Sequence, residues 1–497
     1  MKKFFVFMLL LVVPFCFFGC STDNIVVQAS ESANTYNIVA VLDNENKTVT
    51  ATQTLEYTND SENTMEFIMF HLHPNAFSDG ATTNYAISAT QESRAYVNGK
   101  SYGGITILSA EENDTDATFS VEGADDHLLK VDLRKDLQPN NTVTIQINFV
   151  LTLPNVNHRF GYNEHTINLG NWYPVVCVFE DGEWDTDGYL SSGDPFYTQI
   201  SNYVVSLTYE SNLILTSTGV LQKTITKNEM TTTTYQALAV RDFAMVLSSD
   251  YQVLSQQVGD KMINYYYYDD ENASEHLQTS VDAFTTFSSL IGEYPYAVLN
   301  VVKAGFLYGG MEYPNLVYIS DQVTNNTEYN NVIIHEISHQ WWYGVVGNNQ
   351  LAYAWIDEGL AEYSTALFYD LNEGYDYTTD EVIGNALSSY LLFCDVYRDV
   401  YDTLDTSMNR SVSTFNTETE YVYLTYVKGV LMFDSIGEAI GQTRMNRCLQ
   451  ALYQTYAMEE VTPLELIECF EKASGRSLKS FITSWLDGSV VLEELSG

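Results

Sequence analysis

The 497-residue sequence predicts a multidomain α+β protein, with a β-rich domain first and a mainly helical domain after it. Three observations carry this. From about Tyr36 to Leu247, short runs of β-branched and aromatic residues alternate with polar ones, the period of half-buried strands. Turn-rich spacers such as TNDSEN and the NNT at Asn140 divide them, giving a segment of roughly 210 residues, within the range of one sandwich-like unit. After about Ser248 the apolar positions take helical spacing instead.

Taken in chain order, the elements begin with an export signal. Lys2 and Lys3 precede an apolar run from Phe4 to Phe18, then Gly19-Cys20 and the polar STDN. Fifteen apolar residues fall short of the roughly 20 that span a bilayer. The Gly-Cys pair resembles a bacterial lipobox and implies a lipid anchor on Cys20, hence an extracytoplasmic, membrane-anchored protein, or a secreted one where the box is not used. The expected divisions are a leader over 1–20, a tether over 21–34, the β-rich domain over 35–247 and the second domain over 248–497. Strands are expected at TVTATQTLEY from Thr48, TVTIQINFVLTL from Thr142 and NYVVSLTY from Asn202. The tyrosine run Tyr265 to Tyr268 reads as strand, a helix follows from near Glu275 to before Gly292, and AVLNVV is a further strand. The remainder to Leu486 reads as mostly helical, with boundaries at Thr462-Pro463 and Gly475.

Within it, His335-Glu336-Ile337-Ser338-His339 brings two metal ligands and a base together. Residues four apart share a helix face, so both imidazoles reach one zinc ion, while Glu336 is placed to take a proton from a water molecule. Val332, Ile333, Ile334 and Ile337 make the helix a buried one, expected to run to Gly344–Gly347. Two buried histidines are costly without a partner such as a metal. A catalytic zinc takes three protein ligands, and Glu358 in AWIDEGLAEY, with eighteen residues between it and His339, is the candidate third. A metzincin would need Gly at 342 and His at 345, where this chain has Trp342 and Val345. Glu362, on the face of Glu358, reads equally as a partner of a ligating histidine or as a solvated carboxylate.

HEISHQWW followed by DEGLAEY, with eighteen residues between His339 and Glu358, resembles the M1 gluzincins, the aminopeptidase N and leukotriene A4 hydrolase group. So do Gly309-Gly310-Met311-Glu312-Tyr313-Pro314, similar to the GxMEN motif, and Tyr426-Val427-Lys428-Gly429, similar to YxKG. The likeness extends in outline through TINLGNWYP, GEYPY and SGRSLKSFITSWL. It implies a saddle-like β-sandwich domain and a thermolysin-like catalytic domain with one Zn2+ per chain. It further implies that Glu312 binds a substrate's free amine, that Gly309, Gly310 and Met311 line the cleft, and that Tyr426 donates to the oxyanion. Two features depart from the pattern: Tyr313 stands where the family has Asn, and the N-terminal-domain Gln or Glu that shares the amine has no clear match near Asn171 to Pro174. The chain ends 68 residues after Gly429, which predicts no large C-terminal helical domain and a more open site.

These observations predict a zinc peptidase releasing N-terminal residues from peptides outside the cytoplasm. A peptidase of other specificity, including a limited endopeptidase, and a non-catalytic peptide-binding lipoprotein are the rival readings. With 22 basic against 65 acidic residues and a net charge of −43, the surface repels nucleic acid and anionic lipid head groups, so membrane contact is assigned to the anchor alone. Cys177, Cys394, Cys448 and Cys469 match no metal or redox spacing and are expected as buried free thiols, with one disulfide as the alternative.

Overall fold

The computed structural model describes residues 34–401, 404–490 and 492. The leader, Cys20 and the tether through residue 33 lie outside the described residues.

Alternation builds the first half. Thr48–Thr58 and Thr142–Thr152 bury every second side chain, and they pair antiparallel in register from Thr48 opposite Thr152 to Thr58 opposite Thr142. They lie inside an eight-stranded sheet that also holds Asn34–Asp43, parallel to Ser201–Glu210. Two four-stranded sheets pack with it, one around Met65–His71 and one around Met245–Ser248. The inward rows form one core with the second half, including the stacked Tyr36 and Tyr203 rings at 4.8 Å.

The second half opens with a five-stranded sheet. Lys261–Tyr267, Val298–Ala304 and Leu316–Ser320 run parallel, and the two-residue strand Gly310–Met311 pairs antiparallel at the edge. Val298–Ala304 is nearly continuously buried because both of its faces are covered. Ala273–Leu290 is the helix expected near Glu275. Farther on, Thr462 starts the helix Pro463–Ser474 with a reciprocal capping box to Glu465, and Gly475 ends it with a left-handed φ of 66°.

The halves are joined by polar contacts between distant residues. Asn168 Nδ2 donates to Gly305 O at 3.0 Å, Asn300 Nδ2 to Ser217 O at 3.0 Å, and the Arg241 guanidinium to Tyr343 O and Glu459 O, both at 2.8 Å. This seam holds the β-rich half against the edge strand Gly310–Met311, where the cleft lies. All four described cysteines are buried free thiols. Among the described residues no helix is long and apolar enough to cross a membrane.

Candidate active site

Asn325 starts the helix Asn326–Ser338 by accepting the Glu328 amide on its side chain at 3.0 Å. The helix ends earlier than the sequence suggests. His339 is its C-terminal cap, and the chain turns away well before Gly344. Packing decides this: Trp341 Nε1 donates to Gly292 O at 2.7 Å, Trp342 Nε1 to Ser364 Oγ at 2.8 Å, and Tyr343 sits at a φ of 108°. The turn still keeps His335 and His339 one above the other, their Nε2 atoms 3.1 Å apart.

The return helix Trp355–Leu371 aims Glu358 at the same point. Its Oε2 lies 3.4 Å from His335 Nε2 and 3.3 Å from His339 Nε2. His339 Nδ1 is held by Trp342 O at 2.9 Å, and His335 Nδ1 lies 3.2 Å from Glu362 Oε1, so each imidazole presents Nε2 to the centre. Glu358 Oε2 is buried with no hydrogen-bond donor, a costly state unless a cation occupies the point where the three atoms meet. Two imidazoles and one carboxylate are a zinc donor set, and these residues fit Zn2+.

The electrostatics agree. Burial lowers the pKa of both imidazoles, yet the neighbouring carboxylates outweigh it: Glu358 and Glu362 raise His335 well above its usual value, and Glu358 with Glu312 raises His339 to about 10. Burial would likewise raise Glu358, but His339 and His335 hold it down to about 2. The pocket is therefore built to stabilise positive charge.

Glu336 is pushed up to about 7 by burial, partly offset by the two histidines, which places a proton acceptor near neutrality. Gly310 makes room for it, since a Cβ there would meet Glu336 Cγ and Oε1 at 2.5 Å. Gly309 has looser surroundings, its nearest neighbour being Val332 at 3.5 Å. Met311 packs inward, with its sulfur 3.1 Å from Arg159 Nε.

Just past this edge strand, Glu312 is buried and accepts from Gln350 Nε2 at 3.0 Å. Burial and then the nearby Asp194 raise its pKa well above the usual carboxylate range. Tyr313 turns the other way: its hydroxyl donates to Asn171 Oδ1 at 2.6 Å across the seam, so it ties the halves together. Tyr426 lies in a widened π-helical turn, Tyr423–Val427, and its hydroxyl donates to Glu358 Oε1.

Arg159 and Asp194 were not legible in the sequence. They form a buried ion pair at the cleft wall, and Arg159 also donates to Tyr189 Oη at 3.2 Å and Gly193 O at 3.3 Å. Asp194 is close enough to raise the pKa of both Glu312 and Glu336. No spacing marks either residue, and the scarcity of cations, 22 in the chain, is the one cue to Arg159. Both line a cavity with Tyr308, Gly310, Glu418, Tyr421 and Tyr426.

Residues 268–485 match the family model of the Peptidase family M1 domain. A segment of 206 residues, 40% of this chain and 31% of the relative, is 24% identical to Aminopeptidase B of Rattus norvegicus. Another of 201 residues, 37% of this chain and 22% of the relative, is 22% identical to Aminopeptidase N of Streptomyces lividans. The chain thus spans about a third or less of the length of these curated relatives. Among solved structures, an M1 zinc metallopeptidase from Deinococcus radiodurans superposes with a TM-score of 0.65 at 13% identity, covering 94% of this chain and 96% of that one. A mutant M1 zinc metallopeptidase from the same organism bound to a Tyr-Ser-Ala substrate gives 0.63 at 14% identity, covering 94% and 96%. At such identities the likeness shows a shared fold.

Proposed function

From the premise that the chain carries a peptidase family M1 domain, we propose that it is a zinc-dependent peptidase releasing residues from the N-terminus of peptides. The observation that carries this reading is one cleft holding three converging ligand atoms, the neighbouring base Glu336 and a second buried carboxylate, Glu312.

His335, His339 and Glu358 would hold the ion. When bound, zinc polarises a scissile carbonyl and makes water a better nucleophile near neutral pH. Glu336 accepts the proton of the attacking water and returns it to the leaving amine, so one carboxylate serves both steps. Tyr426 turns its hydroxyl from Glu358 to the carbonyl oxygen as negative charge builds there. Glu312, with Asp194 beside it, receives the substrate's ammonium group, whose positive charge stabilises two buried carboxylates that otherwise repel each other. Asp194 thereby fills the role for which the sequence offered no residue.

A free-amine peptide compared with its N-acetylated form tests the exopeptidase assignment. Turnover of the free peptide alone is expected; equal cleavage of both would transfer the chain to the endopeptidases. We further assign the protein to an extracytoplasmic membrane surface through lipid on Cys20, a reading supported by Lys2, Lys3, the apolar run and Gly19-Cys20. Cys20→Ser is expected to move the protein from the membrane to the soluble fraction; unchanged partitioning would remove the anchor.

A further inference from the structure

We propose that Glu418 selects the first side chain of the substrate and favours N-terminal lysine and arginine, an inference that rests on the exopeptidase reading above. With the substrate amine at Glu312 and its carbonyl at Tyr426, the first side chain must leave the cleft through the neighbouring cavity. That cavity is lined by Arg159, Asp194, Tyr308, Glu418, Tyr421 and Tyr426, together with Gly310.

The charge balance of this wall decides what it accepts. Arg159 is sealed: its side chain is 5% exposed, and its donors go to Asp194, Gly193 O, Tyr189 Oη and Met311 Sδ. The Arg159–Asp194 pair is neutral as a unit, so an acidic substrate side chain finds no free cation. Glu418 is what remains. Arg410, the cation nearest it along the chain, is taken by Glu420, and no ion pair to Glu418 occurs among the described residues.

Its position is set by Gln91 of the β-rich half, a buried residue whose Nε2 donates to Glu418 Oε2 at 3.1 Å. The same Nε2 serves Tyr308 Oη at 3.0 Å and Ser191 O at 3.2 Å, so its two hydrogens are shared among three acceptors. Glu418 Oε1 makes no hydrogen bond among the described residues, and it is left for an incoming donor. Three tyrosine rings flank the path to it. A lysine or arginine side chain lays its alkyl stem on such rings and carries its charge to the carboxylate, with cation–π attraction on the way. A glutamyl or aspartyl side chain meets like charge.

The test is kcat/KM of the zinc-loaded full chain on aminoacyl reporter substrates carrying Lys, Arg, Met or Glu. Lys and Arg are expected to exceed Met, of similar length and no charge, by roughly tenfold, and Glu to be the poorest. Glu418→Gln should erase that tenfold advantage of Lys and Arg over Met, and Glu418→Asp should retain part of it. Equal or faster turnover of Met by the native chain, or an equal fall on all substrates in Glu418→Gln, overturns the proposal. Should that variant not fold, inhibition of the native chain by L-lysine and by L-norleucine decides: lysine must bind more tightly and weaken with salt, and tighter norleucine refutes the inference. Absence of turnover on every reporter overturns the exopeptidase reading itself, whereas turnover without charge preference overturns the assignment of Glu418 alone.

Discussion

Gly310→Ala should separate catalysis from folding. The new Cβ would stand 2.5 Å from Glu336 Cγ and Oε1, against an ordinary contact of 3.4–4 Å, so the Glu336 carboxylate must move by about 1 Å. A displacement of that size at a reacting group costs on the order of 100-fold in rate, or about 2.7 kcal/mol of barrier. The fold should tolerate the change. Gly310 is absent from the positive-φ positions, its strand lies at a sheet edge, and what the methyl meets is a side chain rather than backbone. Zinc content should hold, because His335, His339 and Glu358 are not touched. The assay is kcat on a free-amine substrate beside metal analysis and thermal melting, with Gly309→Ala as comparison, since its nearest neighbour is at 3.5 Å. Full kcat in Gly310→Ala, or equal losses in both variants, would refute the reasoning.

Glu336→Gln should keep its zinc and lose roughly 10²–10⁴-fold in kcat; substantial residual turnover would reassign the base. Tyr426→Phe should lower kcat by roughly 10²–10³-fold with little change in KM, and a KM effect alone would make it a binding residue. Chelation should abolish activity and lower the melting temperature, by about 2.7 kcal/mol of stability lost for an ion held at 100 times its Kd, with zinc restoring both; a melt indifferent to chelator counts against the metal centre. Asp242, which accepts from Tyr173 Oη at 2.9 Å and Phe243 N at 2.6 Å, is pushed up to about 6 by burial despite those bonds. Its folded pKa lies above the unfolded value of 3.8, so its contribution is full below about pH 4 and is lost as pH rises through about 6, about 3 kcal/mol in all. Urea midpoints from pH 4 to 7 should therefore fall less in Asp242→Asn than in the native chain, and parallel curves would show that Asp242 is not the cause.

What could be read from the sequence follows from how local each feature is. His335 and His339 lie one helical turn apart, and Glu358 follows after a single turn of chain, so their meeting at 3.1–3.4 Å needs little beyond two packed helices. Strand alternation from Thr48 and from Thr142 needs only a sheet with one face buried. The end of the HEISH helix could not be read that way. Its own residues favour continuation, and two indoles anchored to Gly292 and Ser364 override them.

By itself the sequence determined which side chains, His335, Glu336, His339 and Glu358, are candidates for metal ligands and base, and the order of strands and helices, because periodicity and short spacing encode contacts between near neighbours. The tertiary structure alone decided the cleft's wall. Arg159 and Gln91 come from loops of the β-rich half and meet Met311, Tyr308 and Glu418 across separations of 100 residues and more, and Asp194 is paired with Arg159 at the same wall. It also turned Tyr313 toward Asn171 and brought Gln350 to Glu312. Such contacts follow from how two packed halves register against each other, and no period in either half carries that information.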